Sequence, residues 1–427
     1  MQTSHGVPAA GDRAVRTAAT AVFITFLLNG FNFASWASRI PAVRDALHMT
    51  PDRVGLLLLV GSLGSLGALP LSGRVVQRLG ARRTILAFAA VNVLGLLLAS
   101  LGVALGTVWL VMPALVVFGI GTGVWDAAMN LEGAAVEQQL GRAIMPRFHA
   151  GFSFGTMAGA ALGAVAAGVH APVILHLVVA LGASAVGVVL CSRHLLPEGT
   201  HDPEAHEPQR DGSAAPRARS GSAWLEPRTL LIGLVVLSAA LTEGAANDWV
   251  GLAVVDGFDQ SHAMGAVAFG VFVTAMTGMR LLGTGLLDRW GRVAVLRLSA
   301  VLSLVGLVVF GLVPSLVGAL AGVVAWGLGA ALGFPVGMSA ASDEPRRAAP
   351  RVAVVATIGY SAFLAGPPLL GLLAEHVGYR HALLAIALPV VIGLVVLPAA
   401  RPLPTAAGLR PAAPVEPVQP AANQPAN

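Results

Sequence analysis

The chain is 427 residues long, 56% hydrophobic and only 11% charged, with a mean hydropathy of +0.78. A water-soluble domain carries about 25% charged residues to cover its surface, so this composition excludes an ordinary soluble protein. The net charge of +5 comes from 26 basic residues, every one an arginine, placed at helix ends and not in a basic, aromatic-interleaved domain, which excludes nucleic acid as a partner.

A bilayer core about 30 Å thick is crossed by about 20 apolar helical residues, so the gaps between charges mark the elements. Residues 1–16 read as a cytoplasmic tail, with no cleavage pattern. Thr17–Ser38 and Val54–Gly73 are the first two spans. Thr84–Trp125 is double length, with a turn at Gly106-Thr107, and Phe148–Ser192 is broken at His170-Ala171-Pro172, so these supply spans three to six. Residues 192–228, rich in Pro, Gly, Ser and His, form a flexible cytoplasmic linker at the midpoint. Thr229–Val255, interrupted only by Glu243 and Asp248, is the seventh span and Gln260–Met279 the eighth. Leu298–Ser342, broken at Pro314-Ser315, is the ninth and tenth; Val352–Ala374 and His381–Ala400 are the last two, followed by a disordered cytoplasmic tail over 401–427. The expected fold is an all-α membrane protein of twelve transmembrane helices in two six-helix bundles, 17–191 and 229–400.

With the N-terminus in the cytoplasm, 21 arginines fall in the tails and inner loops, four outside and one, Arg280, within a span. This obeys the positive-inside rule and puts both termini in the cytoplasm. The absence of lysine and the abundance of Ala, Gly and Arg point to a bacterial genome rich in G and C, hence to the bacterial cytoplasmic membrane. The single Cys191 excludes a disulfide within the chain and a multi-cysteine metal site, and no cofactor loop or bound metal is expected.

The two halves repeat. Gly73, Gln77, Arg78, Gly80, Arg82 and Arg83 between spans two and three recur as Thr284, Asp288, Arg289, Gly291 and Arg292 between eight and nine, and Pro146-Arg147 precedes Gly155 as Pro350-Arg351 precedes Gly359. This loop resembles the hallmark of the major facilitator superfamily, although Gln77 stands where that family usually has Asp. Strings such as Trp36 to Asp45, Asp126 to Asn130 and Glu243 to Trp249 are similar to its YbjJ-like branch, near fucose permease. The resemblance implies rocking of two halves about a central cavity. It also implies that the loops of Gly73, Arg78, Gly80, Arg82, Asp288, Arg289 and Gly291 gate its inner mouth.

Intramembrane polar groups are the site candidates, because charge at the bilayer centre is costly to keep. Asp126 and Asn130, and Glu243 and Asn247, each lie four residues apart on one helix face. Asp126 and Glu243 are candidate proton carriers, since burial and wetting move a carboxyl's proton affinity in opposite directions; packing against a neighbouring helix is the alternative. Asn29, Asn32 and Trp36 on the first span, with Asn130, His149, Phe152, Asn247, Trp249 and Tyr360, are candidate cargo contacts, the aromatics as cavity walls or as an interfacial belt. His149 reads equally as a helix cap, Asp248 as an interfacial residue, and Glu132 and Glu137 as solvated. Arg280 is expected to snorkel to the inner surface, ahead of a buried pair or an anion contact. Glycines 155, 159 and 163 allow close helix contact.

The expected function is secondary transport of a small organic solute, a sugar or related polar metabolite, by a proton-coupled monomer. Proton-driven drug efflux is the alternative, carried by Gly366-Pro367-Pro368 to Gly371. A receptor that has lost transport is the third, and no enzyme constellation is present.

Overall fold

The computed structural model describes residues 12–141, 144–197, 220–344 and 347–403; the expected tails beyond these limits and most of the linker, 198–219, lie outside the described residues. All the regular structure described is helical. The first half comprises α1 (Asp12–Ala37), the short α2 (Ile40–Ala46), α3 (Pro51–Leu79), α4 (Ala81–Ala104), α5 (Val108–Leu140), α6 (Met145–Gly168) and α7 (Val173–Ser192). The second comprises α8 (Pro227–Gly257), α9 (His262–Leu312), α10 (Leu316–Ala330), α11 (Gly333–Ala341), α12 (Ala348–Ala382) and α13 (Ala387–Val396).

One of these helices, α9, holds two spans, and α12 runs through a turn into the start of the last one. α9 turns at Gly291 (φ 71°) and α12 at Gly378 (φ 77°), left-handed conformations that a Cβ disfavours. α10 and α11 are one span with a break at Ala331-Leu332, and α13 with its flanking 3₁₀ turns completes the last. The described residues therefore make twelve membrane-spanning helices in an all-α protein. Several helices outrun the charge gaps: α1 starts at Asp12, inside the expected tail, and α5 continues to Leu140. The backbone ladder carries on into water after the apolar window ends.

Because the number of spans is even, both chain ends lie on one side, here termed the terminal face; the opposite side, which bears α2 and the Gly106 and Gly378 turns, is the distal face. In the first half α1 packs on α6 and α7, and α5 on α3 and α4; in the second α8 packs on α12, and α9 on α10. The halves meet along two seams, α3 with α12 and α6 with α9, which correspond under the internal repeat. Gly155, Gly159 and Gly163 do bring helices together: a Cβ at Gly155 would overlap the Leu27 carbonyl of α1. Buried Trp125, Trp249, Trp326 and Phe272 fill the bundles, while Trp109, Val317 and Leu369 lie exposed on the outer surface, where lipid would cover them.

Glu132 and Glu137 are not solvated as expected. Glu132 is fully buried and accepts the Leu196 N–H (2.7 Å), tying the end of α7 to α5. Glu137 accepts the N–H groups of Ile144 and Met145 (both 2.7 Å), donors that the start of a helix leaves without backbone partners.

Candidate functional site

Glu243, midway along α8, faces Arg280 on α9. The Arg280 Nη2 donates to both carboxylate oxygens, at 3.0 and 2.9 Å, and the side chains stay 32% (Arg280) and 21% (Glu243) exposed. Arg280 therefore does not snorkel to a membrane surface. The cause is local: Pro335 has no N–H to give the Ala331 carbonyl four residues earlier, so the span breaks between α10 and α11. Arg280 Nε donates to that freed carbonyl at 3.3 Å. Non-helical backbone at membrane depth needs such a partner.

Across the α6–α9 seam, His149 interacts electrostatically with Arg280, and its exposed ring stands edge-on to Phe26 with centroids 5.2 Å apart. On α5, half-buried Asp126 interacts across the halves with Tyr360 of α12, and Asn130 donates its amide to the Asp126 backbone carbonyl at 2.8 Å. Tyr360 lies between Phe334 (5.9 Å) and Phe363 (6.3 Å). Asn247 is half-buried one turn beyond Glu243, and Phe152 is half-buried against the first half's core. The candidates thus include a cation at Arg280 with the His149 ring across the seam from it, an acidic group at Asp126, and an aromatic wall.

Four candidates lie elsewhere. Asn32 is fully buried and donates to Asn92 (3.0 Å), which donates to Thr122 (2.9 Å); Asn29 is 2% exposed, with its amide on the Met129 sulfur. Both join helices within the first half, as asparagines in apolar surroundings do, and are not cavity contacts. Trp36 and Trp249 are buried, and Trp249 packs on Tyr379 near the distal face (5.6 Å), so neither is a cavity wall or belt residue. Asp248 faces Phe363 and Gly366 inside the second half and is not interfacial.

At the repeated loops, Gly80 (φ 80°) and Gly291 (φ 71°) make the same turn, and Gly73, Arg78, Arg82, Asp288 and Arg289 are exposed. Arg292 of the second loop is bonded: its Nη1 donates to Asp343 Oδ1 (2.7 Å), and Arg228 donates to Asp343 Oδ2 (2.8 Å). Burial works to raise the Asp343 carboxyl, but its hydrogen bonds to Arg292 and Arg228 outweigh this and hold it below its ordinary value.

On the distal face the halves are tied together. Arg44 of α2 pairs with Asp256 at the end of α8 and lies 5.7 Å over the Tyr379 ring, while Asp45 meets His262 Nε2 at 2.7 Å. The distal residues did not stand out as a site in the sequence, and Arg280 was expected to snorkel ahead of the pair it makes. The signals present were one arginine inside a span, a proline ending a glycine-rich break, and the acid-base run Arg44-Asp45 after the first span.

Twelve spans in two repeated halves around a charged seam define a polytopic transporter fold. The chain belongs to the Major Facilitator Superfamily, whose family model matches residues 22–363. It is 35% identical over 375 residues to the uncharacterized transporter y4wD of Sinorhizobium fredii, covering 86% of this chain and 96% of that one. It is 29% identical over 379 residues to the membrane protein MosC of Rhizobium meliloti, covering 88% of each. Among solved structures, the nucleoside transporter NupG superposes with a TM-score of 0.70 at 15% identity, over 90% of this chain and 98% of that one. A variant of the E. coli fucose:proton symporter FucP gives 0.61 at 13% identity, over 91% of this chain and 100% of that one. The protein is a multi-pass membrane transporter of this superfamily and not an enzyme.

Proposed function

We propose that the protein moves a small polar organic solute across the bacterial cytoplasmic membrane by alternating access, as a proton-coupled monomer. One observation carries this reading: a partly open Arg280–Glu243 pair lies at membrane depth, with His149 of the other half acting on Arg280, on a seam pinned at its distal end. Charge at this depth costs on the order of 2.5–3.5 kcal/mol on insertion scales, and rocking of the halves would expose such a midplane site to each side in turn.

Arginine sidedness puts the terminal face, with both termini, in the cytoplasm, so the distal ties of Arg44 and Asp45 would close the outer end of the seam. Asp126 is the favoured proton carrier, because both Glu243 oxygens are engaged by Arg280 and a proton reaches them only once that pair opens. The likeness to a nucleoside transporter and a fucose:proton symporter supports a polar cargo, as do the strings similar to the YbjJ-like branch. The Gly366–Gly371 element, the main support for drug efflux, is accounted for by packing: an added Cβ at Gly371 would lie 2.7 Å from the Pro51 carbonyl across the seam.

The test is solute-driven proton flux in proteoliposomes. Asp126→Asn should bind solute and lose the coupled proton; coupled flux equal to wild type would overturn the assignment.

A further inference from the structure

We infer that Arg280 anchors a carboxylate on the cargo, and that Glu243 stands in for that carboxylate while the site is empty. This rests on the transport reading above and names its cargo as a carboxylate-bearing polar solute.

Four features of the pair lead there. A guanidinium presents a planar fork that matches a carboxylate, and Glu243 occupies one tine of it, with both oxygens on Nη2. The fork is aimed independently of Glu243, because Nε is held by the carbonyl that Pro335 leaves free. The pair is also unsealed, with Arg280 32% and Glu243 21% exposed. A pair that only neutralised buried charge would be shut off from water, since burial is what makes such a charge need a partner. Finally, Glu243 and Arg280 sit on the same half, whereas His149 acts on Arg280 from the other. A cargo carboxylate between Arg280 and His149 would join the halves, which Glu243 does not.

The other charged groups fix the cargo's orientation. Asp126 on α5 repels a carboxylate and Arg280 on α9 attracts it; Tyr360 on α12 adds a hydroxyl at the Asp126 pole. The acid end therefore lies at Arg280, with hydroxyl or ammonium groups toward Asp126 and the Phe334–Tyr360–Phe363 wall. Displacement of Glu243 by the cargo carboxylate would leave Arg280 neutralised by cargo and not by its own half.

The deciding experiment uses the purified full chain in detergent and reads melting temperature and binding heat. Glu243→Ala vacates the fork, so formate should raise that variant's melting temperature saturably by a few degrees, and formamide should not; adding Arg280→Gln should abolish the response. Glu243→Gln, which keeps the side-chain volume, gives the same readout if the alanine variant folds poorly. In the wild-type protein, glycerate, gluconate and glucuronate are set against glycerol, glucitol, glucose and glucosamine. At least one acid should bind more tightly than its neutral partner, and Arg280→Gln should weaken it roughly 10–100-fold, the loss expected for a charged hydrogen bond. No formate response in either Glu243 variant, or glucosamine binding more tightly than every acid, overturns the proposal. Formate rescue needs neither transport nor a proton gradient, so its failure is distinguishable from failure of the transport reading.

Discussion

The two ends of the same seam differ. Near the distal face, α3 lies so close to α12 that a Cβ added at Gly55 would sit 2.6 Å from the Pro367 carbonyl; toward the terminal face, at Gly67 and Gly73, it would meet nothing within 4 Å. α9 repeats the second pattern at Gly278 and Gly285. Charge follows the same division. Distal Arg44 and Asp45 reach across to Asp256 and His262, whereas the terminal-face pairs of Asp343 with Arg292 and Arg228, and of Glu226 with Arg351, stay within the second half. One type of side chain thus does two jobs. Where it bonds across the seam it closes the molecule, and where it bonds within a half it stiffens that half and leaves the mouth free to part.

Four substitutions break or sharpen this contrast, with labelling of Gly251→Cys by an impermeant maleimide, in a Cys191→Ser background, reporting on the distal seam. The largest effect is expected from Gly371→Leu. The added side chain has only backbone to push against, and overpacking of about 1–3 kcal/mol should raise distal labelling roughly 5–150-fold; unchanged labelling would mean that the α3–α12 contact does not hold the seam. Removing Arg44 and Asp45 together as alanines should release about 1–2 kcal/mol of partly exposed ion pairing and raise labelling roughly 5–30-fold.

Asp343→Asn should act on the other side of the contrast, costing about 1 kcal/mol of the second half's stability after allowance for solvent screening and lowering the melting temperature without changing distal labelling. Its pH dependence has a definite sign. A carboxyl held below its ordinary value of 3.8 contributes stability in full above that value and loses it as the pH falls through the folded-state value. Wild type should therefore lose stability on acidification below pH 3.8 that the Asn variant never had. The smallest effect belongs to His262→Gln. The Asp45–His262 contact of 2.7 Å spans the halves, so its loss should raise distal labelling by the equivalent of about 0.2–1 kcal/mol, and labelling equal to wild type would remove His262 from the latch.

Much of this was legible in the chain. The spans and their turns followed from charge gaps, because a bilayer tolerates so few charges that their spacing is the topology. Gly80 and Gly291 announced matching turns by their repeated context. Asp126 and Glu243 were found by rarity of polar groups at membrane depth, and Glu243 is held there by Arg280. Rarity could not tell inward from sideways, however. Asn29 and Asn32 have the same credentials as Asn130, yet the rotation of α1 turns them onto α4 and α5. Arg280 was visible but its partner was not, since nothing local relates positions 37 residues apart on two helices.

By itself the sequence determined what solvent surrounds the protein, how many times the chain crosses it, and that two halves repeat, because these depend on composition and short-range pattern. The tertiary structure decided which polar groups face one another: Glu243 with Arg280, Arg44 with Asp256, and Asn32 with Asn92. Those meetings depend on helix rotation, on a carbonyl freed by Pro335 and on which end of the seam is shut, and such quantities are set only when the helices pack.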